Sequence, residues 1–243
     1  MMAQLENVKK AVGQNRTGIA TAKKLSAEMI EGTQEFAPTS AGDEREVAAV
    51  RAEASSEAGR IGSIPPPASV KQAVSTAAKA IQREKPTLFL DKLGARIGFE
   101  RSGTRLYEAL LSKFDIHGSF TGGPSREELE QIHHDELEHF HMLTEAMVSL
   151  GGDPTALTPA GNVQAVLSQG AFNIVTDPRT TLPECLEAAL TAELVDNDSW
   201  EALVDMASIA GEDELMTRFG NALAQEQEHL MKVRAWLAAH RAL

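Results

Sequence analysis

Apolar residues recur every three to four positions through most of this 243-residue chain, and runs that alternate apolar with polar residues are nearly missing. Alanine, leucine and glutamate fill the periodic stretches, all of them good helix formers, so the pattern predicts an all-α fold. From about residue 87 onward it resolves into four long helices. The first is expected from Leu88 to Phe114, after Pro86 and Thr87. The second is expected from Arg126 to Leu150, opened by Ser125 and Glu128 at the spacing of a capping box and stopped by Gly151 and Gly152. The third begins at Thr181-Leu182-Pro183-Glu184, a second capping-box pattern with proline in the first turn, and runs to Ala210. The fourth follows Gly211 and continues to near Leu243. Roughly ten residues join the first two helices and a turn joins the last two, whereas about thirty separate the second from the third, with a short helix expected near 160–173. Short, long, short is the connectivity of a four-helix bundle made of two hairpins and one long crossover.

The N-terminal part reads differently. Helical patches are expected around 16–35, 44–58 and 68–84, separated by loops at Pro38–Gly42 and Ile64–Pro67. The expected organisation is therefore a helical N-terminal extension over 1–86, whose role the sequence leaves open, and a bundle over 87–243.

Charge and cysteine usage narrow the function classes. The formal net charge is −12 and the isoelectric point is near 5.1. A protein of that sign repels polyanions, so neither nucleic acid nor an anionic membrane is expected as a partner. The single cysteine, Cys185, cannot form an internal disulfide, which fits a reducing compartment. There is no basic segment followed by an apolar run at the start, and no apolar stretch long enough to span a bilayer. A cytoplasmic location is expected.

The chemistry lies in Glu-x-x-His. The motif occurs four times, at Glu130/His133, Glu136/His139, Glu138/His141 and Glu226/His229. Helical facing separates them. At about 100° per residue, Leu129, Ile132, Phe140, Leu143 and Met147 all fall within about 40° of Glu136, and His139 lies about 60° away on the same face. Around Glu226 the same positions carry Phe219, Ala222, Leu230, Val233 and Leu237, with His229 about 60° away. The other two motifs point off the apolar stripe. The first and third helices show a matching feature. Glu100 shares its face with Leu93, Arg96, Thr104, Tyr107 and Leu111, and Glu193 shares its face with Leu186, Ala189, Asn197, Trp200 and Val204.

These positions form an internal two-fold repeat. Each half contributes a core-facing glutamate, an aromatic seven residues later (Tyr107 or Trp200) and one Glu-x-x-His, and the two glutamates of a half are 36 residues apart in one and 33 in the other. Four carboxylates in an apolar core are each strongly disfavoured and repel one another. Two divalent cations remove both problems, and a mixed carboxylate and imidazole donor set suits Fe, Mn or Zn. Two metal ions are therefore expected, held by Glu100, Glu136, His139, Glu193, Glu226 and His229.

The segments Gly98-Phe99-Glu100-Arg101-Ser102, Asp135-Glu136-Leu137-Glu138-His139, Thr191-Ala192-Glu193-Leu194 and Gln225-Glu226-Gln227-Glu228-His229 resemble the ferritin-like superfamily, and within it the rubrerythrin-type di-iron carboxylate proteins. The resemblance covers residues 88–240. It implies a pair of iron ions that react with dioxygen or peroxide. It also implies that residues beside the ligand glutamates orient the histidines, Asp135 acting on His229 and Gln225 on His139, with Tyr107 and Trp200 close to the site. The chain departs from rubrerythrin in lacking Cys-x-x-Cys pairs, so electrons are expected from an external donor. An oxidoreductase is the leading expectation. A ferroxidase within an iron store and a metal-stabilised interaction module that is not an enzyme are the alternatives. The metal, the donor, the substrate and any self-association stay open at this level.

Overall fold

The computed structural model of the protein describes residues 22–37, 44–59, 61 and 86–242. Among them all the regular elements are α-helices, and the chain divides into two compact units, Met1–Ala58 and Gly59–Leu243. The first unit contains α1 (Lys23–Glu35) and α2 (Glu44–Glu57), neither of which buries a residue. The helical patch expected over 68–84, the start of the one expected from 16, and the loops at 38–42 and 64–67 lie outside the described residues.

The second unit contains α3 (Pro86–His117), α4 (Arg126–Ser149), α5 (Pro159–Thr176), α6 (Leu182–Ala210) and α7 (Asp213–Arg241). Local chemistry sets their ends. Ser125 Oγ accepts from the Glu128 amide at 3.1 Å, while the Glu128 carboxylate accepts from the Ser125 amide at 2.8 Å, which satisfies two of the otherwise unpaired donors at the start of α4. At the start of α6 the Glu184 carboxylate accepts from both the amide (2.6 Å) and the hydroxyl (2.9 Å) of Thr181. The α6–α7 turn passes through Gly211 at φ 66°, a left-handed conformation that carries little penalty only for glycine.

The buried apolar side chains form two clusters, one toward each end of the bundle. One joins Leu106 and Leu110 late in α3, Leu129 and Ile132 early in α4, Leu182 and Leu186 early in α6, and Val233 and Leu237 late in α7. The other joins Phe89 and Leu93 early in α3, Leu143 and Met147 late in α4, Leu203 and Ala207 late in α6, and Leu215 and Phe219 early in α7. Hence α3 and α7 run one way and α4 and α6 the other. The chain leaves α4 at one end and must enter α6 at the opposite end, and α5 makes that return alongside α3 and α6. Both ends of the return are pinned to α3. Thr158 Oγ1 donates to the Asp91 carbonyl (3.1 Å) and the Asp91 carboxylate accepts from the Ala160 amide (2.8 Å). Further along, Lys113 Nζ donates to the carbonyls of Asp177 and Thr180. Among the described residues no helix is long and apolar enough to cross a membrane.

Replacing the cap of α4, Ser125→Ala, is expected to cost about 1 kcal/mol. In a domain of this size that lowers the thermal midpoint by roughly 2–4 °C, read by circular dichroism at 222 nm.

Candidate metal centre

Between the two apolar clusters the bundle carries a layer of buried polar side chains. Glu100, Glu136, His139, Glu193, Glu226 and His229 are all 2% exposed or less. Their donor atoms gather into two groups, Glu100 with His139 and Glu226, and Glu136 with Glu193 and His229, and within each group one donor atom per residue lies within 4.8 Å of the others. Each group draws on three helices: α3, α4 and α7 for the first, α4, α6 and α7 for the second. Glu226 faces both. Its Oε1 lies 2.8 Å from His139 Nδ1 and its Oε2 lies 3.2 Å from His229 Nδ1. One carboxylate oxygen on each of Glu100, Glu136 and Glu193 is buried with no hydrogen-bond partner. Unpartnered buried oxygens are costly, and bound cations are one way to satisfy them. The residues present therefore fit a pair of divalent ions.

Each imidazole turns Nδ1 toward the centre and Nε2 toward a hydrogen-bond acceptor. His229 Nε2 donates to Asp135 at 3.1 Å, and His139 Nε2 donates to the Gln225 side-chain carbonyl at 3.1 Å. Gln225 in turn donates its amide to Asp135 at 3.3 Å, and Gln131 donates to the same oxygen at 2.9 Å. A hydrogen-bonded strand His229–Asp135–Gln225–His139 thus links the two histidines behind the site. Such outer partners fix the ring orientation and raise the basicity of the inward nitrogen. Tyr107 and Trp200 are also buried here. The Tyr107 hydroxyl donates to Glu193 Oε1. Trp200 packs edge-on against His139 at 5.3 Å and Phe219 at 5.6 Å. Asn197, one turn beyond Glu193, donates its side-chain amide to the backbone carbonyls of both Glu193 and Glu226, at 3.0 Å each.

Three further participants take their roles only from the packing of one helix against another. Arg96, 2% exposed, donates through Nε to Glu100 Oε1 at 2.7 Å and pairs through Nη2 with Asp196, also 2% exposed. Asp196 adds a fifth buried carboxylate to the layer, and one of its oxygens groups with those of Glu100, Glu136 and Glu226. It sits three residues after Glu193 on the same helical face, and an arginine on the core side of α3 signals the need for a buried acid opposite. The third is Gly103, one turn after Glu100. A Cβ there would stand 1.9 Å from Glu136 Oε2 and 2.8 Å from its Cδ, so the missing side chain is the space the carboxylate occupies. By contrast Glu138 and His141 are exposed, Glu138 pairing with His134 at 3.3 Å, and Glu130 pairs with Arg126 at the surface.

The electrostatics follow from this crowding. Asp135, a sixth buried carboxylate, stands behind His229. The five carboxylates that face the centre, set against the Arg96 guanidinium, leave four negative charges, equal to the charge of two divalent cations. Without them the charges redistribute. Burial, reinforced by the charges of Glu226 and Glu100, pushes Glu136 well above the usual carboxylate range. Burial, with Glu226 nearby, pushes Glu193 up to about 8. Burial also raises Asp196, against the pull of Arg96. Glu226 goes the other way: burial opposes its charge, yet the hydrogen bonds from His139 and His229 hold it down at about 2. Burial disfavours the charge on His229 too, and the hydrogen bonds to Asp135 and Glu226 overcome it, lifting that group to about 10.

Residues 124–242, which span α4 to α7, match the family model described as the ferritin-like domain. No curated protein and no solved structure matches the chain. The match takes in Glu136, His139, Glu193, Glu226 and His229. Glu100 precedes it, and its place in the layer comes from the packing of α3 alone.

Gly103→Ala separates fold from site. Alanine in mid-helix favours α3 by up to about 1 kcal/mol. Its methyl must also push the Glu136 carboxylate aside. The expected result is full helicity with metal affinity lowered roughly tenfold or more, checked by metal analysis of protein equilibrated with limiting metal.

The pH dependence of the metal-free bundle has a definite sign. Glu193, raised from 4.5 to about 8, contributes stability that is complete below 4.5 and lost as pH rises through about 8. His229, raised from 6.5 to about 10, contributes stability that is complete below 6.5 and lost toward 10. Glu226 contributes above 4.5 and loses its contribution only as pH falls toward 2. Chelation is therefore expected to lower the melting temperature more at pH 8 than at pH 5, by calorimetry with and without chelator.

Proposed function

We propose that this ferritin-like bundle binds two divalent transition-metal ions, iron foremost with manganese or zinc as the alternatives, and reacts with dioxygen or peroxide as a rubrerythrin-type oxidoreductase. The observation that supports it is the pair of donor groups, each with two glutamates and one histidine, meeting at Glu226 in a buried layer of the core. Bound iron would supply the electron-transfer chemistry toward dioxygen or peroxide.

The chain's own residues account for the remainder. Glu100, His139 and Glu226 would hold one ion, and Glu136, Glu193 and His229 the other. By taking the outer N–H, Asp135 and Gln225 would leave the inward nitrogens of His229 and His139 to bind metal once the ions displace the protons shared with Glu226. Tyr107 holds a proton at Glu193 Oε1. The apolar clusters above and below exclude water along the bundle axis. Access is from the side, where clefts of about 390 Å³ and 150 Å³ lie between α3, α5 and α6. Arg96 lines the inner wall of the larger and Gly103 that of the smaller, each directly against a ligand glutamate. A small molecule such as dioxygen would approach there. Electrons for repeated turnover would come from an external donor.

The test is aerobic addition of Fe(II) in rising ratios, followed by gel filtration and iron counting on the protein peak. Oxidation that saturates near two irons per chain, with further turnover only when reductant is supplied, is the expected result. Tens of irons per chain co-eluting with a large oligomer would replace this reading with storage. Two bound ions without any iron oxidation would replace it with a metal-stabilised interaction module.

A further inference from the structure

The two metal positions look alike by ligand count, yet their surroundings differ in two independent ways, and both differences weaken the same position. The first concerns the glutamates of α3 and α6. Glu100 shares one oxygen with the guanidinium of Arg96 at 2.7 Å, whereas Glu193 receives only the neutral hydroxyl of Tyr107. An incoming cation at the Glu100 position meets a fixed, buried positive charge that is itself locked by Asp196. At the Glu193 position it meets none. The second concerns the imidazoles. His229 is backed by the carboxylate of Asp135, while His139 is backed by the amide of Gln225. A carboxylate acceptor makes the ring a stronger donor to metal than an amide acceptor does.

The repeat shows where each difference arises. Asp135 and Gln225 occupy equivalent places, each just before the glutamate of a Glu-x-x-His. A second carboxylate at 225 would face Asp135 across 3.3 Å, and the glutamine instead donates there. The position equivalent to Arg96 in the other half is Ala189, and the position equivalent to Asp196 is Gly103. The Arg96–Asp196 pair therefore has no counterpart on the Glu193 side, and Gly103 leaves room there for the Glu136 carboxylate.

Resting on the two-metal reading above, we propose that the site is ordered. The position of Glu136, Glu193 and His229 takes a divalent ion first and tightly. The position of Glu100, His139 and Glu226 takes the second ion weakly, and Arg96, Asp196 and Gln225 are positioning residues that set the gap.

The test is titration of the metal-free full chain with Co(II), followed by calorimetry and by the visible ligand-field bands of the bound ion. Two phases of one ion each are expected, with dissociation constants roughly tenfold or more apart. His229→Ala should abolish the tight phase, and His139→Ala should abolish the weak phase and leave the tight one. Gln225→Glu should tighten the weak phase about tenfold, shift its bands and leave the tight phase in place. The paired change Arg96→Gln with Asp196→Asn should do the same by removing both buried charges together, and Gln225→Glu carries the test alone if that pair fails to fold. A single phase of two equivalent ions, or loss of the tight phase in His139→Ala, overturns the ordering while leaving the two-metal reading intact. Absence of any Co(II) binding overturns both.

Discussion

The structure depends on keeping five carboxylates together where water cannot reach them. No apolar helix bundle tolerates such a group unaided, because each charge loses its hydration and repels the others at short range. The rest of the molecule can be understood as provision for that layer. Two imidazoles and one guanidinium face the carboxylates, a tyrosine and an asparagine donate hydrogen bonds at its edge, and a glycine makes room for one oxygen. The apolar clusters on either side supply the burial that holds the helices at the required separation, at roughly 25 cal/mol for each Å² of apolar surface removed from water. Without metal the layer survives by partial protonation, which is why Glu136 and Glu193 shift upward while Glu226, held between two imidazoles, shifts downward.

The bundle was largely legible in the sequence because its signals are local. Ser125 with Glu128, Thr181 with Glu184, and Gly211 mark helix ends through bonds made within a few residues, and the observed helices begin and end within a few positions of where those residues place them. α3 extends further than its apolar pattern, from Pro86 to His117, and closes at Gly118, whose φ of 70° and N–H bond to the Phe114 carbonyl (2.7 Å) end it. That these six residues, Glu100, Glu136, His139, Glu193, Glu226 and His229, share one buried layer was legible for a related reason: a glutamate or histidine in the middle of an apolar stripe stands out at period 3.6, and that period also separated Glu136 and His139 from the exposed Glu138 and His141.

What the sequence did not disclose are relations between helices. Arg96 alone is only an irregular member of an apolar face, and its meaning requires Asp196 on α6, one hundred residues later. Gly103 looks like a weak point in a helix until Glu136 of α4 is placed against it. The hydrogen bond from Tyr107 to Glu193 joins residues whose facing periodicity could give, but whose contact across two helices it could not. Burial pattern is a property of one helix at a time, whereas charge pairing and close approach belong to pairs.

Asn197 has a consequence for how the α6–α7 hairpin can move. Its single amide group holds the main-chain carbonyls of Glu193 and Glu226, one on each helix, so it acts as a pawl between two toothed rods. Sliding one helix past the other by a single residue is a displacement of about 1.5 Å, enough to part the amide from one carbonyl. The hairpin therefore has one notch in which both carbonyls are held at once, and axial sliding of α6 against α7 is opposed at the level of Glu193 and Glu226.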